Sequence, residues 1–275
     1  MKKRNVAILL MGLLMVFITA CGNTKEKTAE TKKDQWSTIE KNKKIVIGLD
    51  DTFVPMGFRD KSDEIVGFDI DLAKAVFAEY GIEPEFQPID WSMKESELKN
   101  GTIDLIWNGY TVTEEREKNV AFSIPYMKNK QELVVLANSG IKSTDNMKEK
   151  VLGAQNESSG LTALEKNPEV LTDIITDGEP VLFDTFNDAF MDLQAKRIDG
   201  LVIDNVYANY YIAQQRNSKD YLVINTPFEE EDFAVGIRKS DKELKNKIDD
   251  AFKKLKKEGK MKEISEKWFG IDQTI

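Results

Sequence analysis

The stretch GTIDLIWNGYTVTEER, Gly101 to Arg116, holds the residue types needed to grip a carboxylate. Arg116 offers a planar fork of N–H donors that matches two carboxylate oxygens. Thr111 adds a hydroxyl, and Asn108, Gly109 and Tyr110 stand where a strand gives way to a turn. Ile103 to Trp107 reads as a short apolar strand of the kind buried on both faces of a parallel sheet. Asn108-Gly109 breaks it. Thr113 followed by Glu114-Glu115-Arg116 then reads as a capped helix start with acids in its first turn. A strand end, a glycine and a helix start expose backbone N–H groups at the carboxyl edge of a sheet, where small ligands bind. The same residues equally suit an ordinary strand–turn–helix whose Arg116 pairs with a neighbouring Glu. Local sequence leaves both open.

Further along, the pattern returns. Glu97-Leu-Lys-Asn-Gly-Thr-Ile103-Asp104-Leu-Ile is similar to Asp192-Leu-Gln-Ala-Lys-Arg-Ile198-Asp199-Gly-Leu-Val-Ile. In both, a helix ends in a polar turn and Ile-Asp enters an apolar strand. The second strand ends at Asp204-Asn205, much as the first ends at Asn108-Gly109. Two such strand ends predict two α/β lobes whose ligand edges face each other, with chance similarity over a dozen residues as the competing reading.

The other elements supply more edge residues. Lys43 to Leu49 reads as the first strand, and Asp50 and Phe53 lie in the loop beyond it, as cleft lining or as turn chemistry plus one core ring. Gly67-Phe68-Asp69 opens a helix with an apolar stripe through Ile70, Ala73, Phe77 and Tyr80, stopped by Gly81. Asp69 and Asp71 read as helix-start acids, not as a metal pair, because nothing nearby completes an oxygen cage. Glu83 to Pro88 is a second strand leading to Trp91, either a core filler or a ring offered to a ligand. Gln131 to Ala137 is a long apolar strand. Gln155 ends another, and Glu157-Ser158-Ser159-Gly160 leads into a helix from about Leu161, a further set of exposed N–H groups or a plain cap. Tyr207 to Gln215 is helical, Tyr221 to Ile224 and Phe233 to Ile237 are strands, and Lys242 to Phe269 is one or two amphipathic helices.

Composition narrows the chemistry. The 275 residues are 41% hydrophobic and 32% charged, enough for a real core under a solvated surface. The net charge of −9 disfavours nucleic acid and anionic membrane surfaces as partners. There is no His and one Cys, so no metal cluster, cofactor motif or Ser–base pair is expected. The start differs from the rest. Lys2-Lys3-Arg4, the apolar run Val6 to Ala20 and the small residues before Cys21 read as a secretory signal peptide. Gly22 to Gln35 is polar and reads as a flexible tether.

Two sets of motifs carry family resemblances. The end of the apolar run at Cys21 resembles the lipobox of bacterial lipoproteins, with Ile18 where Leu is usual. Asp50-x-x-Phe53-x-Pro55, Gly67-Phe68-Asp69-Ile70-Asp71-Leu72, Asp90-Trp91 and Gly101-x-Ile103-Asp104 form the second set. Thr111-x-Thr113-x-Glu115-Arg116, Phe122-Ser123-x-Pro125-Tyr126, Gln155-x-x-Ser158-Ser159-Gly160, Asp199-Gly200, Asp204 and Lys267-Trp268-Phe269-Gly270 complete it. In this order the chain after Trp36 resembles the solute-binding proteins of polar amino-acid ABC importers.

The resemblance implies an α/β, type II periplasmic-binding-protein-like fold, with two α/β lobes joined by two crossover strands around a ligand cleft. Residues 1–20 would be the signal peptide, 21–36 the lipidated start and tether, 37–134 and 228–275 one lobe, and 135–227 the other. Arg116 would clamp an amino acid's α-carboxylate, helped by Thr111 and by N–H from Ser159 beside Ser158. Asp204 would take the α-ammonium with the Gly109 carbonyl. Phe53 and Trp91 match a ring pair that sandwiches the side chain, Asp50 an acid at its far end, and Asn108, Tyr110 and Gln155 other pocket walls. Glu157 stands where a Gly is usual and would add an acid or bend the loop differently. The resemblance further implies a lipid-anchored monomer on the outer face of the cell membrane that needs no cofactor and serves an ABC permease. A cationic amino acid such as arginine is expected first, then glutamine or cystine. Dehydratases and lytic transglycosylase relatives share the fold, but without His or a free Cys a binder is expected, not an enzyme. A sensor or adhesin is the other reading.

Overall fold

In the computed structural model, which describes residues 33–275, the short apolar runs become strands of two five-stranded sheets. The first runs in the order Glu83–Pro88, Lys44–Leu49, Leu105–Ile106, Gly236–Arg238, Val120–Phe122. Its first three strands are parallel, and Gly236–Arg238 is antiparallel to both neighbours. The second runs Val181–Phe183, Leu152–Gln155, Gly200–Asp204, Met127–Leu136, Tyr221–Phe233. Again three strands are parallel and the returning ones antiparallel. Helices cover the sheets, giving two α/β lobes of the type II periplasmic-binding-protein-like kind. The expected signal peptide, Cys21 and nearly all of the expected tether lie outside the described residues.

The Ile-Asp repeat has a structural cause. Asp104 Oδ2 accepts from the Val46 N–H at 3.0 Å, and Asp199 Oδ2 accepts from the Val151 N–H at 2.9 Å. Each carboxylate thereby satisfies a strand donor at the point where parallel pairing begins. The preceding Ile fills a gap left by a glycine of the neighbouring strand. A Cβ on Gly48 would stand 2.5 Å from Ile103 Cδ1, and one on Gly153 would stand 2.6 Å from Ile198 Cδ1. In the first lobe Asp104 is also paired at 2.8 Å with buried Arg238, which donates to the Ile103 carbonyl at 2.6 Å and so ties in the returning strand.

The helix Phe68–Ala78 buries Phe68, Ile70, Leu72, Ala73, Val76 and Phe77, as its stripe predicts. Asp69 is more than a helix-start acid. It is buried, and its Oδ2 accepts from Gly109 N–H at 2.7 Å and from the Tyr126 hydroxyl at 3.0 Å. It therefore holds the turn at Gly109. Burial pushes its carboxyl up to about 7 against the pull of these donors and Trp107. Asp71, on the other side, pairs with Lys267 at 2.6 Å.

The helix start expected at Thr113 is present: Thr113 caps a single turn, Glu114–Glu117, with acids in it. One expectation needs correction. Tyr221–Phe233 is one strand where two were expected, Tyr221 to Ile224 and a second beginning at Phe233. Its ladder is irregular between Asn225 and Glu230, which accommodates Pro227 without ending the strand. The next strand is Gly236–Arg238. This long strand pairs antiparallel with Met127–Leu136, and the two together form the passage between the lobes.

Two outcomes follow. Gly153→Ala should lower unfolding stability by about 1–3 kcal/mol, because Ile198 must move off its rotamer, and urea unfolding measures it. For Asp69, ionisation is costly in the fold, so wild type loses stability as pH rises from about 4 through about 7. Asp69→Asn still accepts from Gly109 but does not titrate. Its stability relative to wild type should climb across that pH range, and a flat difference would contradict the buried-acid account.

Candidate functional site

Arg116 sits one turn into its short helix, whose cap Thr113 accepts from the Arg116 N–H at 3.2 Å. The side chain is 7% exposed, and its guanidinium lies 4.5 Å from the Tyr110 ring centre. Tyr110 is fully buried, stacks on Phe122 at 5.3 Å and donates to Glu95 at 2.9 Å, so it forms a fixed floor under Arg116. Nη1 donates to the Thr111 carbonyl at 2.9 Å, and Nη2 to the Glu157 carbonyl of the opposite lobe at 3.1 Å. Among the described residues no ion pair involves Arg116, so the neighbouring-Glu reading does not hold. A buried guanidinium facing neutral carbonyls is short of a counter-charge.

Lys94 joins it, and sequence reading missed it. Its Nζ donates to the Trp91 and Glu157 carbonyls, each at 3.1 Å, and it is 2% exposed. Burial and the charge of Arg116 push this ammonium down to about 7. A lysine opening the helix Lys94–Asn100 opposes the helix dipole, and that mismatch was the available signal. Glu157 contributes its carbonyl, and its backbone is left-handed at φ 54°, which accounts for a glycine being usual there.

Asp204 closes the strand Gly200–Asp204 and is buried. Its Oδ1 accepts from Asn129 at 2.5 Å and Gln131 at 2.8 Å. Burial first, then the nearby Glu231, push its carboxyl up to about 7. Ser159 Oγ receives Thr111 and Gln131, each at 3.1 Å, and so bridges the lobes. Ser158 is the helix cap, accepting from the Leu161 N–H at 3.1 Å. Asn129, Gln131 and Glu231 are site residues that sequence reading missed. Asn129 and Gln131, two apart and both polar in a buried strand, were the visible sign.

At the far end, Asp50 is buried, and Gln155 reaches it across the cleft at 3.2 Å. Thr52 donates to Asp50 through its N–H at 2.9 Å and hydroxyl at 2.6 Å, and Asn108 accepts the Asp50 N–H at 3.1 Å. Burial raises the Asp50 carboxyl above its ordinary value despite these donors. Phe53 packs at 5.8 Å against Phe186 and 5.4 Å against Tyr207, two rings of the other lobe that were not anticipated. Trp91 instead stands edge-on to Tyr110 at 5.9 Å, in a separate group of rings. Gly109 is left-handed, and a Cβ there would come within 2.9 Å of Phe53.

No group of metal-ligating side chains occurs among the described residues, and none of their helices is long and apolar enough to cross a membrane. The arrangement holds the cations Arg116 and Lys94 against carbonyl oxygens and the carboxylates Asp204 and Glu231 against amide nitrogens. Against known proteins, the chain is 32% identical to the ABC transporter glutamine-binding protein GlnH of Bacillus subtilis, over 99% of each chain. It is 28% identical to that organism's arginine-binding extracellular protein ArtP, over 97% of this chain and 98% of the other. A crystal structure of an ABC uptake transporter substrate-binding protein from Streptococcus pneumoniae, with bound histidine, is 54% identical. It superposes with a TM-score of 0.87 over 88% of this chain and 98% of that one. Residues 45–271 match the model of a family of receptors, not of enzymes, and the chain belongs to it: the bacterial extracellular solute-binding proteins, family 3.

Proposed function

We propose that this receptor binds a polar L-amino acid between its lobes and delivers it to an ABC permease. The observation that carries the reading is the cleft's unpaired charge: Arg116 on one side and Asp204 on the other, both buried, neither in an ion pair among the described residues. Arg116 takes the α-carboxylate, with Thr111 and the Ser159 N–H beside it. Asp204 takes the α-ammonium with the Gly109 carbonyl. A zwitterion of this polarity satisfies both ends at once.

The side chain extends toward Asp50, Phe53 and Gln155, and Trp91 closes the neighbouring wall. A buried acid beside aromatic rings suits a cation, where ring contact adds about 0.5–2 kcal/mol. Arginine therefore stands first among cationic amino acids, and the relatives named for glutamine and arginine and the one with bound histidine are compatible with such a pocket. Asn108 and Tyr110 hold Asp50 and Arg116 in place. Contacts between the lobes, such as Arg116 to Glu157, exist only when the lobes are together, so a ligand spanning both favours closure.

A thermal-shift screen of the twenty L-amino acids tests this. A cationic one should raise the melting temperature, since a ligand binding only the folded state stabilises it. Arg116→Ala should cost about 3 kcal/mol or more of affinity, and an unchanged affinity would end its carboxylate role. We further propose export as a monomer and lipid anchoring through Cys21, resting on the sequence pattern alone. Cys21→Ser should appear in the culture medium instead of the membrane fraction, and retention at the membrane would refute the anchor.

A further inference from the structure

Glu231 takes no part in the roles above, yet it lies in the same web as Asp204. The reason is sheet register. Asn129 and Gln131 stand two residues apart on Met127–Leu136 and so present their amides to one face. Asp204 pairs with Gln131 from the strand on one side, and Glu231 pairs with Asn129 from the strand on the other. The two carboxylates thereby converge. Asn129 Nδ2 donates to Asp204 at 2.5 Å and to Glu231 at 2.9 Å. Gln131 Nε2 donates to Asp204 at 2.8 Å and to Glu231 at 3.0 Å. Thr111 and Ser159 hydroxyls each lie 3.3 Å from the same Glu231 oxygen.

The web is short of donors and of positive charge. Both acids draw on the same two amide nitrogens, and neither has an ion pair among the described residues. Asn129 Oδ1 and Gln131 Oε1, on side chains 2% and 0% exposed, have no partner. The charge of Glu231, which shares donors with buried Asp204, adds to burial in raising the Asp204 carboxyl. A primary ammonium brings one positive charge and three N–H donors. Asp204, Glu231 and the Gly109 carbonyl would offer it three acceptors.

We propose that Glu231 is a second carboxylate of the ammonium site, dividing the ligand's α-ammonium with Asp204 and making the site select for that group. This rests on the ammonium reading of Asp204. Glu231 reaches the site from the crossover strand, so it carries the ligand's charge to the passage between the lobes.

The test uses Glu231→Gln, which keeps the shape and an acceptor for both amides, with Asp204→Asn and the exposed Glu229→Gln beside it. The twenty L-amino acids are screened by thermal shift on wild type, and calorimetry follows with those that bind, L-arginine and L-histidine included. Glu231→Gln should weaken binding about tenfold or more, and Glu229→Gln by less than about twofold. Without amino acid, Glu231→Gln should melt at or above the wild-type temperature, because a like-charge repulsion is gone. A role confined to scaffolding predicts a lower melting temperature instead, and that result overturns the proposal. Wild-type affinity in Glu231→Gln with loss in Asp204→Asn overturns it alone. Wild-type affinity in both variants, or no shift with any of the twenty, overturns the ammonium reading and this inference with it.

Discussion

A charge taken out of water must meet an opposite charge or dense hydrogen bonding, or it costs several kcal/mol. The cleft is built around that constraint. Arg116 and Lys94 gather against carbonyl oxygens, while Asp204 and Glu231 gather against amide nitrogens. The two groups do not pair with each other. Neutral partners fix the geometry of each group without cancelling its charge. A zwitterionic ligand would complete both.

Keeping such groups in place takes rigid support. Tyr110 underlies Arg116, Asn108 fixes the Asp50 backbone, and Asp69 holds the Gly109 turn from the helix behind it. Asp69 is itself an acid kept in an expensive setting, which shows how much of the first lobe serves one turn. The same economy of parts appears in the sheets. Each lobe uses an Ile-Asp step to lock its parallel strands, the Asp on a strand N–H and the Ile over a glycine.

That step is why much of the fold was legible in the sequence. Ile103-Asp104 and Ile198-Asp199 answer local demands, one for a hydrogen-bond acceptor and one for volume, and local demands leave local traces. Arg116, Asp204, Thr111 and Ser159 were legible for a related reason, since strand ends and helix starts reveal where an edge lies. Lys94 and Glu231 were not. A lysine or glutamate in a charged stretch reads as solvated, and only the approach of the other lobe buries Lys94 and only the neighbouring strand half-buries Glu231. Phe53 and Trp91 pack in separate groups of rings, Phe53 with Tyr207 and Trp91 with Tyr110, neighbours that only tertiary packing supplies. Tyr221–Phe233 runs on past the expected end at Ile224 because an antiparallel ladder absorbs the stretch around Pro227 as an irregularity.

The pairing of Met127–Leu136 with Tyr221–Phe233 has a mechanical consequence. Two separate linkers would let the lobes slide and twist freely, but a hydrogen-bonded ribbon bends mainly about one line. Points on that line scarcely travel while points far from it sweep widely. Asn129, Gln131 and Glu231 lie on the ribbon itself, so this cluster would stay assembled through such a bend. The Arg116–Glu157 and Asp50–Gln155 contacts join the two lobes and exist only at its end. A jaw of this build would keep a standing anchor at its pivot while its grip forms as the lobes meet.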